Sequence, residues 1–344
     1  MTHPDGVACR RDGAVGRITL DRPTSRNALD LTMIRRMLDA LTRWERDTDV
    51  DAIVIDSSDD RTFCAGGDIV AVHDAAHGHR ERARLLWREE YRLDARIAHY
   101  PKPVVTLMNG LTLGGGMGIG CHASVRIVSD RAALAMPEVA IGLAPDVAGT
   151  LLLSRAPGRI GVHLALTGQR VDAHDAVYCG LADHVVASSS LSPLVADLAA
   201  GCPPTAVGAE YAVKPRPALP THRAWIDDCY GTRDVEGILQ RLSRRTEPTA
   251  VDALDAISAG APTALKVTLR AMEMAHTHSG IGQCLRQDYR VCSRFLLHPD
   301  LAEGIRAAVI DKDHTPKWDP ADLTAVTDAD VDRFFQPLDD DLVL

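Results

Sequence analysis

The first half of the chain switches repeatedly between two hydrophobic periods. Residues 15–20 alternate apolar and polar positions, which predicts a strand. From 27 to about 47 the apolar residues recur at spacings of three and four, which predicts an amphipathic helix. Further strands are predicted at 52–55, 103–108, 125–128 and 132–136, and further helices at 68–98, 115–123, 147–154, 159–167 and 172–179. Strands that alternate with helices predict an α/β core with parallel pairing.

The pattern changes near residue 200. Residues 203–220 contain five prolines, which predict a surface loop or linker. Beyond it the apolar spacing is mostly helical. We therefore predict two regions, an α/β core over 1–200 and a mostly helical C-terminal region over 201–344 that packs on the core.

Charge and composition exclude two classes of partner. The net charge is −9 and no basic block is present, so the chain is a poor candidate for binding nucleic acid. Residues 103–125 carry no charged side chain and are long enough to span a bilayer. They contain six glycines, however, and therefore predict a buried strand, a glycine turn and a buried helix. We predict no membrane partner.

The cysteines and the N-terminal residues bear on the cellular compartment. Eight cysteines without a C-x-x-C pair predict free, mostly buried thiols in a reducing compartment. The first six residues show neither an apolar run nor an Arg-rich amphipathic stretch, so we expect no targeting segment. Arg outnumbers Lys by 33 to 5, as is typical of GC-rich bacterial genomes. Together these features predict a cytoplasmic location.

Two glycine motifs follow predicted strands. In 63–69 and 114–118 the glycines permit backbone conformations that other residues resist, and they leave amides free to meet a docked group. Each motif alone could be an ordinary tight turn. Gly118, Gly120 and Ala123 also fit a dinucleotide fingerprint, but no acidic residue follows about 20 positions later, which disfavours that interpretation.

A pair of carboxylates, Glu138 and Asp146, lies among apolar residues. Two solvated acids would be the ordinary interpretation of such a pair. In an apolar setting, however, we expect burial to raise their pKa values, which suits a general acid or base or a nucleophile. His73, His77 and His79 have a spacing that could bind a metal, but they lie on a predicted exposed helix or lid, and we predict no metal and no cofactor.

These motifs together resemble the crotonase (enoyl-CoA hydratase/isomerase) superfamily over residues 10–185. Within it the chain resembles the 3-hydroxyisobutyryl-CoA hydrolase branch over nearly its whole length, with a weak stretch at 188–260. The motifs that carry the resemblance are Asp21-Arg-Pro, Arg26-Asn-Ala-Leu29, the two glycine motifs, Trp87-Arg-Glu-Glu-Tyr91, Met136-Pro-Glu138, Leu166-Thr-Gly168, Glu303-Gly-Ile-Arg306 and Pro316-Lys-Trp318. The resemblance implies a spiral of ββα units with a helical C-terminal region.

The resemblance also implies where the site lies. The implied residues are oxyanion-hole amides at Gly67 and Gly115, catalytic acids at Glu138 and Asp146, and substrate-binding residues at Glu90, Ala65, Gly66 and Asp68. Hydratases of the superfamily carry a further catalytic Glu where this chain has Gly118, and hydration is best served by two positioned acid/base groups. The branch usually has an aromatic residue and a glycine where this chain has Ala144 and Ala148, which leaves the exact acyl group open.

The function implied by the resemblance is hydrolysis of a short 3-hydroxyacyl-CoA, first of all 3-hydroxyisobutyryl-CoA, in valine breakdown. Glu138 would be either a nucleophile or a general base, and an acyl-CoA would be the partner. Superfamily members often form trimers or hexamers, so a homo-oligomer is a further expectation. Two alternatives stay open: an enoyl-CoA hydratase or isomerase that uses Glu138 alone, and a catalytically silent CoA-binding paralogue.

Overall fold

The structure is a computed structural model that describes residues 3–344. Its strands in chain order, β1 to β11, are Val7–Asp12, Val15–Leu20, Ala52–Ser57, Thr62–Cys64, Val104–Met108, Leu111–Leu113, Val125–Ser129, Ala133–Ala135, Val171–Asp172, His184–Val186 and Ala212–Val213. Its α-helices, α1 to α16, are Leu31–Glu45, Ile69–Ala76, Arg80–Ala98, Gly115–Cys121, Gly149–Ser154, Ile160–Thr167, Ala173–Tyr178, Leu191–Ala199, Pro204–Glu210, Arg223–Cys229, Val235–Leu242, Pro248–Ala259, Pro262–Ala275, Ile281–Phe295, Pro299–Ile305 and Asp328–Phe335.

The chain folds into two compact units that interleave along the sequence. The first unit contains the residues up to 68 together with 89–135 and 170–218, and the second contains 69–88, 136–169 and 219–344. All the strands named above lie in the first unit, and the second is built from helices. The boundary near residue 200 stays a prediction.

The first unit contains two sheets. Seven strands form the larger sheet in the order β1-β2-β3-β5-β7-β10-β11, parallel from β2 to β10 and antiparallel at both edges. The smaller sheet has the order β4-β6-β8-β9. The chain places β3, β5 and β7 in the larger sheet and the strand after each of them in the smaller one. This alternation, with its intervening helices, confirms the predicted α/β spiral of ββα units.

The central strands of the larger sheet are buried on both faces, as their uninterrupted apolar sequences predict. On one face Val54, Val105 and Ile127 pack in a single cluster with Leu194 of α8 and Val207 of α9. Fully burying a side chain of this size stabilises the fold by roughly 1.5–3 kcal/mol. Strands β3 and β5, which come directly before β4 and β6 and their glycine motifs, are therefore held in a packed core.

Two local predictions need correction. Helix α1 begins at Leu31 and not at 27, because the Asp30 side chain accepts a hydrogen bond from the Met33 amide (2.9 Å) and so caps the helix. Residues 203–220 are not simply a loop, since they contain α9 and β11. Proline is tolerated at the start of α9 because the first helical residue needs no amide hydrogen.

The predictions for the uncharged stretch and for the cysteines can also be compared with the structure. Residues 103–125 contain β5 and α4, as predicted, and a further short strand, β6, that was not predicted. Across residues 3–344 no helix combines the length and the apolar character needed to cross a bilayer. All eight cysteines are free and six are buried, which confirms that prediction.

Candidate active site

The first glycine motif is held by a short backbone pairing inside the first unit. The Leu29 amide donates to the Gly66 carbonyl (2.8 Å), and the Asp68 amide donates to the Leu29 carbonyl (2.9 Å). The Ala65 amide donates to the Arg26 carbonyl (3.0 Å). This pattern uses the Gly66 carbonyl and the Asp68 amide, on either side of Gly67, and not the Gly67 amide.

Asn27 holds the same segment through side-chain hydrogen bonds, a role that was not predicted from the sequence. It is fully buried, its Oδ1 accepts from the Arg22 amide (2.8 Å), and its Nδ2 donates to Ser57 Oγ (2.8 Å) and the Phe63 carbonyl (3.1 Å). One amide side chain thus joins the turn before α1 to the ends of β3 and β4. Asn27 lies in the Arg26–Leu29 motif, which indicates that the residue matters. The motif alone does not show which backbone groups the Asn27 side chain contacts.

The structure brings together three of the predicted site residues. A Cβ atom built on Gly115 would lie 2.1 Å from Glu90 Oε1 and 3.1 Å from the Gly67 nitrogen. Glu90 is buried, with 2% of its surface exposed. Within residues 3–344 neither the Gly67 nor the Gly115 amide has a hydrogen-bond acceptor. We call residues 64–68 and 113–116 the amide region.

The other predicted binding residues are partly used by the scaffold. Asp68 Oδ2 accepts from Arg22 Nη1 (3.0 Å), so its carboxylate helps to hold the turn. Ala65 and Gly66 contribute backbone groups to the pairing with residues 26–29. Substrate binding by these three residues stays a prediction.

Cys64 lies in the amide region but is poorly suited to be a nucleophile. Burial raises the pKa of its thiol to about 12, and the nearby carboxylates of Glu90 and Asp94 contribute to that rise. Because the thiolate is the reactive form, a thiol with this pKa stays protonated and inert near neutral pH.

The second unit carries the predicted catalytic acids. We call residues 136–149 the acid region. Glu138 begins the 3-10 turn Glu138–Ile141, and its carbonyl accepts from the Leu143 amide (3.0 Å). Glu138 is 6% exposed and Asp146 is 7% exposed. The predicted burial of both carboxylates is confirmed.

Three glycines allow close packing around the Glu138 turn. A Cβ atom on Gly142 would lie 2.3 Å from the Asp300 carbonyl oxygen, and one on Gly304 would lie 2.4 Å from the Ile141 carbonyl carbon. A Cβ atom on Gly168 would lie 2.9 Å from Pro137 Cα. Gly168 and Gly304 belong to the motifs that carry the family resemblance, and the structure gives both a steric reason to be glycine.

Asp146 lies just before a bend in the backbone. Val147 and Ala148 adopt φ angles of 50° and 55°, in the left-handed region. Asp146 Oδ2 lies 3.9 Å from Cys292 Sγ, within reach of a weak S–H···O hydrogen bond. A thiol neighbour for this acid was not predicted from the sequence.

The histidines considered as metal ligands were also located. The rings of His73 and His77 lie 4.6 Å apart, centroid to centroid, and His77 Nδ1 lies 2.8 Å from the His73 carbonyl oxygen. From residue 3 to the C-terminus, no three His, Cys, Asp or Glu side chains form a group that could hold a metal ion.

Comparison with known proteins identifies the family. The sequence model described as enoyl-CoA hydratase/isomerase matches residues 15–335. The chain belongs to the enoyl-CoA hydratase/isomerase family. This confirms the resemblance inferred from the two glycine motifs and the Glu138 turn.

The relatives of this family member carry more than one activity in their names. A Rattus norvegicus relative, named 3-hydroxyisobutyryl-CoA hydrolase, mitochondrial, is 39% identical over 96% of this chain and 89% of its own. A structure described as a carnitinyl-CoA dehydratase from Mycobacterium thermoresistibile is 42% identical, with a TM-score of 0.95 and 98% coverage of both chains. An enoyl-CoA hydratase from Rhodobacter sphaeroides is 41% identical, with a TM-score of 0.93, covering 98% of this chain and 100% of its own.

The prediction of a cytoplasmic location is wrong by this comparison, because the curated relatives are mitochondrial enzymes by name. The prediction rested on arginine usage and on the first residues of the chain. Arginine usage reflects the base composition of a genome and carries no physical information about the destination of a protein.

Proposed function

We propose that this chain hydrolyses the thioester of a short 3-hydroxyacyl-CoA, and that its substrate is 3-hydroxyisobutyryl-CoA, giving 3-hydroxyisobutyrate and CoA. The names of the curated relatives support this substrate. The reaction belongs to valine breakdown.

The amide region supplies the groups that would bind the thioester oxygen. The N–H groups of Gly67 and Gly115 have no acceptor among residues 3–344, so they can donate to the negative charge that develops on that oxygen. Each such donor typically stabilises the transition state by about 3 kcal/mol. Glu90, whose carboxylate lies beside Gly115, would bind the substrate.

Glu138 would act on the thioester carbonyl carbon by one of two routes. As a nucleophile, its carboxylate attacks that carbon, the C–S bond breaks, CoA leaves as a thiolate, and water then hydrolyses the mixed anhydride. As a general base, Glu138 takes a proton from the water that attacks the carbon, the C–S bond then breaks, and CoA leaves as a thiolate. In both routes Asp146 holds the substrate hydroxyl or the water.

The observation that carries the proposal is the set of acids. Glu138 and Asp146 are both buried, while position 118, which holds a catalytic Glu in hydratases, is glycine. One acid fewer at that position disfavours addition of water to a double bond, because that reaction is best served by two acid/base groups. The structures described as a hydratase and a dehydratase nevertheless favour hydration as the second candidate.

The test measures CoA release from 3-hydroxyisobutyryl-CoA with a thiol reagent, after subtraction of the signal from the protein's own cysteines. Glu138→Gln is expected to lower kcat by about 1,000-fold or more, because it removes either the nucleophile or the base. Glu210→Gln is the matched control, since Glu210 is exposed on α9, and it should leave kcat unchanged.

Crotonyl-CoA is the competing substrate in the same assay. Consumption of crotonyl-CoA without CoA release would contradict hydrolysis and favour hydration. Binding of CoA without turnover of any thioester would favour the silent paralogue.

A single turnover in ¹⁸O-labelled water separates the two routes. Label found in the Glu138 carboxylate by peptide mass spectrometry is expected for the nucleophilic route, because water cleaves the anhydride at either carbonyl. An unlabelled Glu138, with labelled product, would exclude cleavage of an anhydride at the Glu138 carbonyl and is the result expected for the general-base route.

A further inference from the structure

One face of α14 follows the segment that carries Asp146. Cys284, Asp288 and Cys292 are spaced four residues apart, so they lie one above the other on the helix. Each contacts a different residue of 146–150: Cys284 Sγ lies 3.3 Å from Thr150 Oγ1, Asp288 Oδ2 accepts from the Ala148 amide at 2.8 Å, and Cys292 Sγ lies 3.9 Å from Asp146 Oδ2. Three successive turns of one helix thus hold five consecutive residues.

The middle contact falls on the bend in this segment. Val147 and Ala148 both have positive φ angles, which residues with a Cβ atom rarely adopt and which are most unusual for a β-branched residue such as Val. Such conformations persist only where the surroundings fix them. The hydrogen bond from the Ala148 amide to Asp288 links this bend directly to α14.

Burial of the Asp288 carboxyl group at this position is energetically unfavourable. Asp288 is 2% exposed, and burial raises the pKa of its carboxyl well above the ordinary value despite the hydrogen bond from Ala148, with Asp146 raising it further. An apolar side chain of similar volume would avoid the cost of burying this group beside another acid. The acid must therefore provide something that an apolar residue cannot. Its carboxylate accepts the Ala148 amide at 2.8 Å and, more weakly, the Cys284 thiol at 3.8 Å.

We propose that Asp288 is a positioning residue for Asp146. By accepting the Ala148 amide it holds the Val147–Ala148 bend and so fixes the direction in which Asp146 presents its carboxylate. The role in turnover rests on the proposed hydrolysis, since Asp146 is its second acid. Asp288 itself need not touch the substrate.

The kinetic test distinguishes the contribution of the hydrogen-bond acceptor on Asp288 from the contribution of the volume of its side chain. Asp288→Leu keeps the approximate volume but removes the acceptor, whereas Asp288→Asn keeps an acceptor oxygen. We expect the leucine variant to lower kcat for 3-hydroxyisobutyryl-CoA by about 10- to 100-fold with KM within about threefold, because an error near 1 Å in placing a catalytic group costs about that much. Asp288→Asn should recover most of this loss.

Gln287→Ala is the matched control. Gln287 is the buried neighbour of Asp288 on α14, and its loss should leave kcat within about twofold. Asp288→Ala replaces the leucine variant if the latter does not fold. A folded leucine or alanine variant with wild-type kcat overturns the proposal, as does an asparagine variant as impaired as the leucine one.

Crystal structures of the wild type and the Asp288→Leu protein would show directly whether Asp288 positions the Asp146 carboxylate. We expect the Asp146 carboxylate to move by about 1 Å or more and Val147 or Ala148 to leave the left-handed region, since such a conformation persists only where its surroundings fix it. An unchanged bend and carboxylate overturns the proposal. This reading does not depend on turnover, so a wild-type protein that releases no CoA would disprove the proposed function while the crystal structures still decided the role of Asp288.

Discussion

The amide region and the acid region both need backbone in the left-handed part of conformational space, and they achieve it differently. The amide region uses glycines, with φ of 104° at Gly66 and 47° at Gly114. The acid region uses Val147 and Ala148 at 50° and 55°. Glycine adopts such angles without a steric cost, whereas Val and Ala need support from their surroundings. A left-handed conformation that uses glycine can be predicted from the sequence, because glycine marks the position. One that is imposed on Val or Ala by packing cannot be predicted in this way.

The two regions also differ in how far along the chain their supports lie. The Gly66–Gly67 turn pairs with residues 26–29, about 40 positions earlier. The acid region is held by Asp288 and by Gly304, which lie 140 or more positions after it. The amide region is thus supported locally within a motif, while the acid region depends on the C-terminal helices.

Among substitutions that test how the backbone of each region is supported, the largest effect is expected in the amide region. The Cβ atom of Gly115→Ala would lie 2.1 Å from Glu90 Oε1, so the Glu90 carboxylate or the Gly115 amide must move. We expect kcat/KM for 3-hydroxyisobutyryl-CoA to fall by about 100-fold, comparable to the loss of one oxyanion-hole donor.

Gly280→Ala is the control for Gly115→Ala, because among residues 3–344 no heavy atom lies within 4 Å of a Cβ atom there, and its φ of 167° suits any residue. It should leave kcat/KM unchanged. Wild-type turnover by a folded Gly115→Ala protein would refute the view that the amide region depends on a bare backbone.

A smaller effect is expected in the acid region as the pH changes. Burial raises the pKa of Asp300, whose backbone contacts the Glu138 turn at Gly142, from 3.8 to about 6. The native state therefore binds this proton more tightly than the unfolded state, so the stability it contributes is complete below about pH 4 and is lost as pH rises through 6. Asp300→Asn removes that loss and should raise the free energy of unfolding at pH 8 by on the order of 2 kcal/mol.

Urea unfolding at pH 4, 6 and 8 measures this difference. The asparagine can still accept from the Asp319 amide, as Asp300 Oδ1 does at 2.7 Å. Asp313→Asn is the control, because Arg306 lowers the pKa of Asp313 to about 2 and its contribution has the opposite sign. Equal stability of wild type and Asp300→Asn at pH 8 would mean that burial of Asp300 carries no such cost.

The smallest effect tests the strained bend itself. Ala148→Gly relieves a left-handed conformation that costs roughly 1–2 kcal/mol, while the extra freedom of glycine in the unfolded chain costs roughly 0.5–1 kcal/mol. We expect a net stabilisation of about 0.5 kcal/mol in thermal or urea unfolding.

The control for this substitution is Ala256→Gly in the interior of α12, which should be destabilising by about 1 kcal/mol. The opposite signs of two identical substitutions would separate backbone strain from the general effect of glycine. A destabilised Ala148→Gly protein would show that the bend is not strained.

Much of the site could be predicted from the sequence, because its chemistry lies in recognisable residues. Glycine pairs and a carboxylate pair in an apolar run mark the amide region and Glu138, and the structure shows Gly67, Gly115 and Glu90 together. Asn27 and Asp288 could not be predicted, since their roles depend on which backbone groups meet them in three dimensions. From the sequence alone, an Asp in a helical pattern such as Asp288 is predicted to lie on the surface, because the packing of α14 is not yet known.

The fold shows the same limit. Strands β3 and β5 are marked by apolar runs, but β4 and β6 have three residues each and carry no periodicity long enough to detect. The division of consecutive strands between two sheets is a property of long-range pairing. The family resemblance therefore predicted the spiral of ββα units better than the local pattern could.

The contact between the Glu138 turn and α15 also has a consequence for synthesis. Gly142 and Asp300 are separated by 158 positions in sequence. At translation rates of about 5–20 residues per second, the turn waits roughly 10–30 s for the helix that packs against it. A nascent chain can therefore complete its glycine turns early, but the Glu138 turn gains its contact with α15 only when nearly the whole polypeptide has left the ribosome.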